Sequence, residues 1–343
     1  MIGLWCCSFP RRRRLPWLLL ATLPLAFAAA AGSAGSDQPT VFVVVGAPGA
    51  EEYGSNFLHQ ATLWREACTQ ANCTSITIGL DPPGATNDCE RLQQALAAQP
   101  HEGPAQLWLV LIGHGTFDGK EARFNLRGPD LSGTDLTQWL QPFHRPLAVI
   151  DTSSASSPFL IKLSGTNRVV ISATRSGNEQ NFARFGQYFA EAINNPAADL
   201  DKDGQVSLLE AFLTASRQAL EFYQMEGRLA TEHALLDDNG DGLGTPADWF
   251  HGLHATRRAK DNAPLDGLLA RQWCLVPSDL ERQLTPDQRA RRDTLEHAVL
   301  ALREKKAQMA ESDYYHQIEI LLLEMARLYS TVGNRPPGGL TSH

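Results

Sequence analysis

Past residue 31 the sequence has no second apolar run of the roughly 20 residues that a membrane-spanning helix needs. It has no Cys-x-x-Cys spacing, which argues against a structural zinc site, and no internal repeat of solenoid type. It has no excess of basic residues either, since 30 Lys+Arg face 38 Asp+Glu for a net charge of −8. Such a balance disfavours nucleic acid and anionic membranes as partners and suits cation binding. The 343 residues are enough for one large domain or two modest ones.

What is there begins with a leader. "RRRR" at 11–14 precedes "LPWLLLATLPLAFAAAA" at 15–31 and then the small residues "GSAGS". A basic segment, an apolar segment and Ala-x-Ala sites read as a signal peptide over 1–34, so the mature chain is expected to be exported, with no membrane segment. An uncleaved anchor is the alternative, and the long basic segment leaves twin-arginine export open. The leader holds four of the Lys+Arg and no acidic residue, so its removal takes the net charge from −8 to −12. Cys6 and Cys7 leave with it. Cys68, Cys73, Cys89 and Cys274 remain, an even number that suits two disulfides in an oxidising compartment, with Cys68–Cys73 as the local pair among three pairings. "NCT" at 72–74 matches a glycosylation sequon.

From residue 40 to 173, apolar strand-like runs alternate with helical patterns. The strands are expected at 40–46, 74–80, 107–113, 146–151 and 167–173. Between them "FLHQATLWREACTQA", "NDCERLQQALAAQ", "TDLTQWLQPF" and "SPFLIKL" space their apolar residues at three to four. Near-continuous β-branched runs separated by helices predict an α/β fold, a mostly parallel sheet with helices on both faces. Asp118-Gly119 marks a tight hairpin. Amphipathic helices follow at 182–193 and 207–223, then a mixed connecting segment over 251–284. A helical hairpin over 285–332 closes the chain, one stripe formed by Leu295, Val299, Leu302 and Met309 and another by Ile318, Leu322, Met325 and Tyr329.

Ligands of such sheets bind beyond the carboxyl ends of the strands. There "LWLVLIGHGTFDG" delivers His114, and "LAVIDTSSASSPFL" delivers Ser153. An apolar block ending in His-Gly, a second ending in a nucleophile, and a third strand "VVISATRSGNEQNFARFGQYFAEA" resemble the legumain- and caspase-type cysteine peptidases over residues 40–193. The resemblance implies a caspase-like domain over 38–250, His114 at the catalytic histidine position, Ser153 in place of the cysteine nucleophile, and Ser172, Ala173 and Thr174 along the substrate pocket. A thiol reaches its thiolate easily beside an imidazole, whereas a hydroxyl needs an aligned base held by a third group. The expected function is therefore a noncatalytic peptidase homologue that binds a peptide or protein partner in its cleft; an active hydrolase using a Ser153–His114 dyad is the alternative.

"DLDKDGQVSLLE" at 199–210 puts Asp199, Asp201 and Asp203 at loop positions one, three and five, Gly204 at six, Gln205 at seven, Ser207 at nine and Glu210 at twelve. That is the spacing of an EF-hand-like loop, with oxygens that wrap Ca2+, set between two helices as such a loop requires. A second loop at 237–248 repeats part of the pattern through Asp237, Asn239, Asp241 and Asp248 and is expected to support the first; an Asx-rich turn is the equal alternative. His233 has no partner identifiable in the sequence.

Overall fold

"TVFVVV" has no polar–apolar alternation, because as strand β1 (Thr40–Val45) it is buried on both faces. The computed structural model describes residues 38–333 apart from 83, 85 and 262, so the signal-peptide expectation lies outside the described residues. In β1, Val41, Val43 and Val45 point into one core with Trp108, Val110 and Ile150, while Phe42 and Val44 point into a second with Leu109, Leu111 and Val149. Each fully buried aliphatic side chain contributes about 1.5–3 kcal/mol relative to exposure, so a strand of this kind belongs in the middle of a covered sheet.

The elements that cover it follow in chain order. Helix α1 (Glu51–Ala71), β2 (Thr74–Ile78), α2 (Asp88–Ala97) and β3 (Leu107–Ile112) come first. A small antiparallel sheet of β4 (Gly115–Phe117), β5 (Ala122–Phe124) and β6 (Leu131–Ser132) comes next, then α3 (Gly133–Leu140), β7 (Leu147–Asp151), α4 (Ser157–Leu163) and β8 (Arg168–Ser172). Helices α5 (Phe185–Ala192) and α6 (Leu208–Met225) lead to β9 (Leu235–Asp237) and β10 (Thr245–Pro246). The main sheet runs β10-β9-β8-β7-β3-β1-β2. Strands β2, β1, β3, β7 and β8 are parallel; β9 and β10 add an antiparallel edge. The order reverses between β1 and β3, so the crevice beyond the ends of those two strands is where this topology places a ligand.

Helix α1 starts six residues before the pattern at Phe57 suggests. Gly54, Ser55 and Asn56 mask its first turns in the sequence, where Glu51 and Glu52 complement the helix dipole. The segment 251–284 is more than a connection. It contributes a short hairpin of β11 (Phe250–His251) and β12 (His254–Ala255), then α7 (Leu268–Gln272) and α8 (Asp279–Gln283), and Ala270, Trp273 and Leu275 enter the first core. Helices α9 (Pro286–Glu304) and α10 (Glu311–Gly333) form the expected hairpin. Leu295, Val299 and Leu302 are buried, but Leu322 lies exposed beside Leu323, so the second stripe is only partly covered.

All four described cysteines are free thiols. Cys68 and Cys73 lie beside each other at the end of α1. Cys89 packs on the second core while Cys274 lies between Trp273 and Leu275 of the first, so that pair is not bridged. Among the described residues, no helix is long and apolar enough to cross a membrane.

Candidate functional site

Strands β3 and β7 are neighbours, and each ends two residues before a candidate side chain, His114 on one and Ser153 on the other. Chain connection also brings the end of β1 to the crevice, and there Pro48 meets His114. The imidazole Nε2 lies 3.2 Å from the Pro48 carbonyl oxygen. That oxygen can only accept, so Nε2 carries the proton and Nδ1 is the basic nitrogen. Tyr53, Phe57 and Phe182 pack edge-on around the ring at centroid distances of 4.7, 5.2 and 5.9 Å. Their burial of the ring lowers its pKa from the ordinary histidine value, against a smaller upward effect of Pro48. Burial thus favours the neutral imidazole.

Ser153 is fully buried and faces elsewhere. Its Oγ donates to Asp151 Oδ1 at 2.6 Å, and the same oxygen accepts the Ser153 N–H at 3.0 Å. Asp151 Oδ2 has no hydrogen-bond partner within the protein, and burial pushes this carboxyl up to about 6 against the two bonds from Ser153. The hydroxyl and the imidazole thus hold separate partners and make no bond to each other. Gly115 lets the two strand ends close together: a Cβ there would sit 2.0 Å from Ser154 O and 3.0 Å from Ser153 Oγ. Ala155, two residues beyond Ser153, takes a left-handed φ of 54° and donates its N–H to Glu179 O at 2.8 Å. Glu179 is also the partner that the sequence does not reveal for His233, with Nδ1 to Oε1 at 2.6 Å.

Ser172, Ala173 and Thr174 are buried as well. Ser172 Oγ donates to Thr174 O, and Thr174 shares its hydroxyl with Ser156 Oγ and the Ser157 N–H. These groups satisfy one another rather than face a ligand. Two rings of the histidine cage, Tyr53 and Phe182, also line a cavity of about 430 Å³ together with Arg184, Phe222 and Arg228 among others. The Arg184 guanidinium stacks 4.0 Å over the Phe222 ring.

In the first acidic loop, Asp199, Asp201 and Asp203 each bring a carboxylate oxygen within 4.8 Å of the others. Lys202 and Gly204 take left-handed φ values of 63° and 90°, which wrap the loop, and Asp199 accepts the N–H groups of both. Partial burial, with the Asp201 charge second, pushes the Asp203 carboxyl up to about 6, although the residue reaches solvent. Three crowded carboxylates at one point suit a hard divalent cation. Glu210 does not join them. It forms a capping box with Ser207 at the start of α6, and its other oxygen accepts the N–H groups of Leu200 and Asp201. Gln205 places its side-chain oxygen on the Ser278 N–H.

The second loop does not pair with the first. Ser207 instead bridges to Cys274, and Leu208 donates to Trp273 O. Asp237 caps the Gly240 N–H, Asn239 bonds Pro264 O, and Asp248 lies exposed on a 3-10 turn (Ala247–Trp249) rather than closing the loop. Asp238 and Asp266, which the loop pattern passes over, anchor it: Asp238 accepts the N–H groups of Gly267 and Ala270, and Asp266 those of Asp238 and Asn239.

No family model and no curated protein matches the sequence. In structure the chain is similar to the initiator caspase Dronc of Drosophila, with a TM-score of 0.39 and 12% identity over 61% of this chain and 81% of that one. It is also similar to caspase-1 from Spodoptera frugiperda, with a TM-score of 0.37 and 9% identity over 59% of this chain and 85% of that one.

Proposed function

We propose that this protein is an exported, noncatalytic homologue of the legumain- and caspase-type peptidases that binds calcium and receives a peptide or protein segment beside His114. The observation that supports it most is the state of the nucleophile position: Ser153 Oγ is buried and committed to Asp151, with no bond to the imidazole. A hydroxyl there lacks the aligned base that serine catalysis requires. The calcium reading rests on the clustered carboxylates of Asp199, Asp201 and Asp203. The cavity bounded by Tyr53 and Phe182 offers room for a bound segment without any contact to Ser153 Oγ being needed. In an oxidising compartment, the adjacent Cys68 and Cys73 are the pair that would close a disulfide.

One observation favours the alternative, a Ser153–His114 hydrolase: Pro48 holds the imidazole with Nδ1 as its basic nitrogen. A single experiment separates the two. Ser153→Cys supplies a nucleophile that brings its own acidity, so it should gain labelling by a thiol electrophile or cleavage of a peptide library, while the wild type stays inert. Removal of His114 in that background should then reduce any cleavage, because the leaving amine loses its proton donor. Wild-type turnover that disappears in Ser153→Ala would establish the hydrolase instead.

A further inference from the structure

The two acidic loops share more than composition. At position four of each, the N–H donates to the first aspartate: Lys202 to Asp199 and Gly240 to Asp237. At position seven, it donates to the fifth-position aspartate: Gln205 to Asp203 and Leu243 to Asp241. Positions four and six are left-handed in both, at 63° and 90° in the first and 81° and 74° in the second. The second loop lies over the end of α4, where a Cβ on Gly242 would come 3.9 Å from Ser164 Cβ and one on Gly240 would come 3.1 Å from the Gly165 carbonyl carbon.

Backbone form alone does not make a cation site. The telling feature is a set of buried oxygens with nothing to bond. Asp237 is 1% exposed, and its Oδ2 has no hydrogen-bond partner; Asp241 and Ser164 are half-buried residues whose Oδ2 and Oγ atoms are themselves buried and equally without a partner. The Ser164 side chain faces this loop at Gly242, and neither its Oγ nor Asp237 Oδ2 has a hydrogen-bond partner. Buried polar atoms in a native protein find partners, and a group of three unpartnered oxygens with two negative charges calls for a cation.

We propose that a second hard divalent cation of the calcium class is held by Asp237, Asp241 and Ser164, with the hydroxyl from the end of α4 standing where Asp248 would close a regular loop. The oxygen-only donor set excludes the softer metals that prefer nitrogen or sulfur. Such an ion ties the end of β9 to α4, the helix that begins four residues after Ser153. The site is independent of Asp199, Asp201 and Asp203, so its failure and the failure of the first site are distinguishable.

Equilibrium dialysis of the full mature protein with radioactive calcium at millimolar concentration tests it. Wild type is expected to bind two equivalents, Asp241→Asn one, and Asp201→Asn one, with circular dichroism unchanged. Ser164→Ala, which leaves the loop's own bonds intact, is expected to weaken the site that survives Asp201→Asn by about tenfold. An Asp201→Asn variant that binds no calcium overturns the proposal, whereas a single wild-type equivalent that survives Asp201→Asn and is lost in Asp241→Asn upholds it and removes only the first site. A second equivalent that persists unweakened in both Asp241→Asn and Ser164→Ala also overturns it.

Discussion

The strand-end cleft and the first acidic loop both gather polar side chains, and they treat them in opposite ways. In the cleft nearly every group is answered inside the protein: Ser153 by Asp151, His114 by Pro48, Thr174 by Ser156. In the loop, three carboxylates approach one another without a full set of countercharges, and Arg271 reaches only Asp201, at 3.3 Å. A satisfied buried network holds a scaffold together; converging like charges leave a demand that a ligand meets. The difference teaches where to look for binding in this molecule, and it can be attacked from both sides.

The largest effect is expected at Gly115. A methyl group there meets Ser154 O at 2.0 Å, a backbone atom that cannot swing away, so Gly115→Ala should cost about 3 kcal/mol or more in urea unfolding. A loss below about 1 kcal/mol would mean that the two strand ends are looser than this contact implies, and the cleft less like a closed network.

The unanswered Oδ2 of Asp151 gives the next effect. Asp151 is held at about 6 in the folded protein, above its ordinary value near 4, because burial favours the neutral acid. A raised folded pKa contributes stability that is fully present below about pH 4 and lost as pH rises through about 6. The wild type should therefore lose on the order of 2–3 kcal/mol between pH 4 and pH 7 through this group. Asp151→Asn keeps an oxygen for Ser153 and cannot ionise. Its urea midpoint should be flatter over that window, and an unchanged pH slope would show that Asp151 is not the group responsible.

The smallest effect belongs to the loop. A weak calcium loop binds with a Kd on the order of 10⁻⁴–10⁻³ M, so a few millimolar calcium should stabilise the protein by about 1–2 kcal/mol. A melting scan should show a rise of several degrees with calcium, absent with a chelator. Asp201→Asn should shrink that rise, and so should Asp203→Asn, which should also stabilise the calcium-free protein by relieving crowding. Equal shifts in wild type and both variants would remove these carboxylates from the binding account and erase the contrast with the cleft.

Much of the frame was legible in the residues. The five parallel strands announce themselves as apolar runs, and their parallel direction follows from the helices between them, so His114 and Ser153 at neighbouring strand ends could be anticipated. What Ser153 Oγ bonds to could not be settled that way. Asp151 is only two residues back on the same side, but whether the hydroxyl turns to it or to His114 depends on rotamers chosen by packing. The carbonyl of Pro48 lies 66 positions before His114, and nothing local in either segment announces the contact. Glu210 is a different case, because Ser207-x-x-Glu210 has the spacing of a capping box and that signal competes with calcium ligation at the same residues. The same distance problem hides Glu179 from His233, Cys274 from Ser207 and Ser164 from Asp237.

By itself, then, the sequence determined the layered α/β architecture, the strand ends that carry His114 and Ser153, and the trio of Asp199, Asp201 and Asp203, because periodicity and short-range spacing are properties of neighbouring residues. Tertiary structure alone decided that Ser153 is sealed against Asp151, that His114 is held from behind by Pro48, that the segment after β12 braces the acidic loops, and that the second loop meets α4. Those outcomes depend on which distant atoms compete for the same hydrogen bond or the same space, and that competition is settled only when the chain has packed.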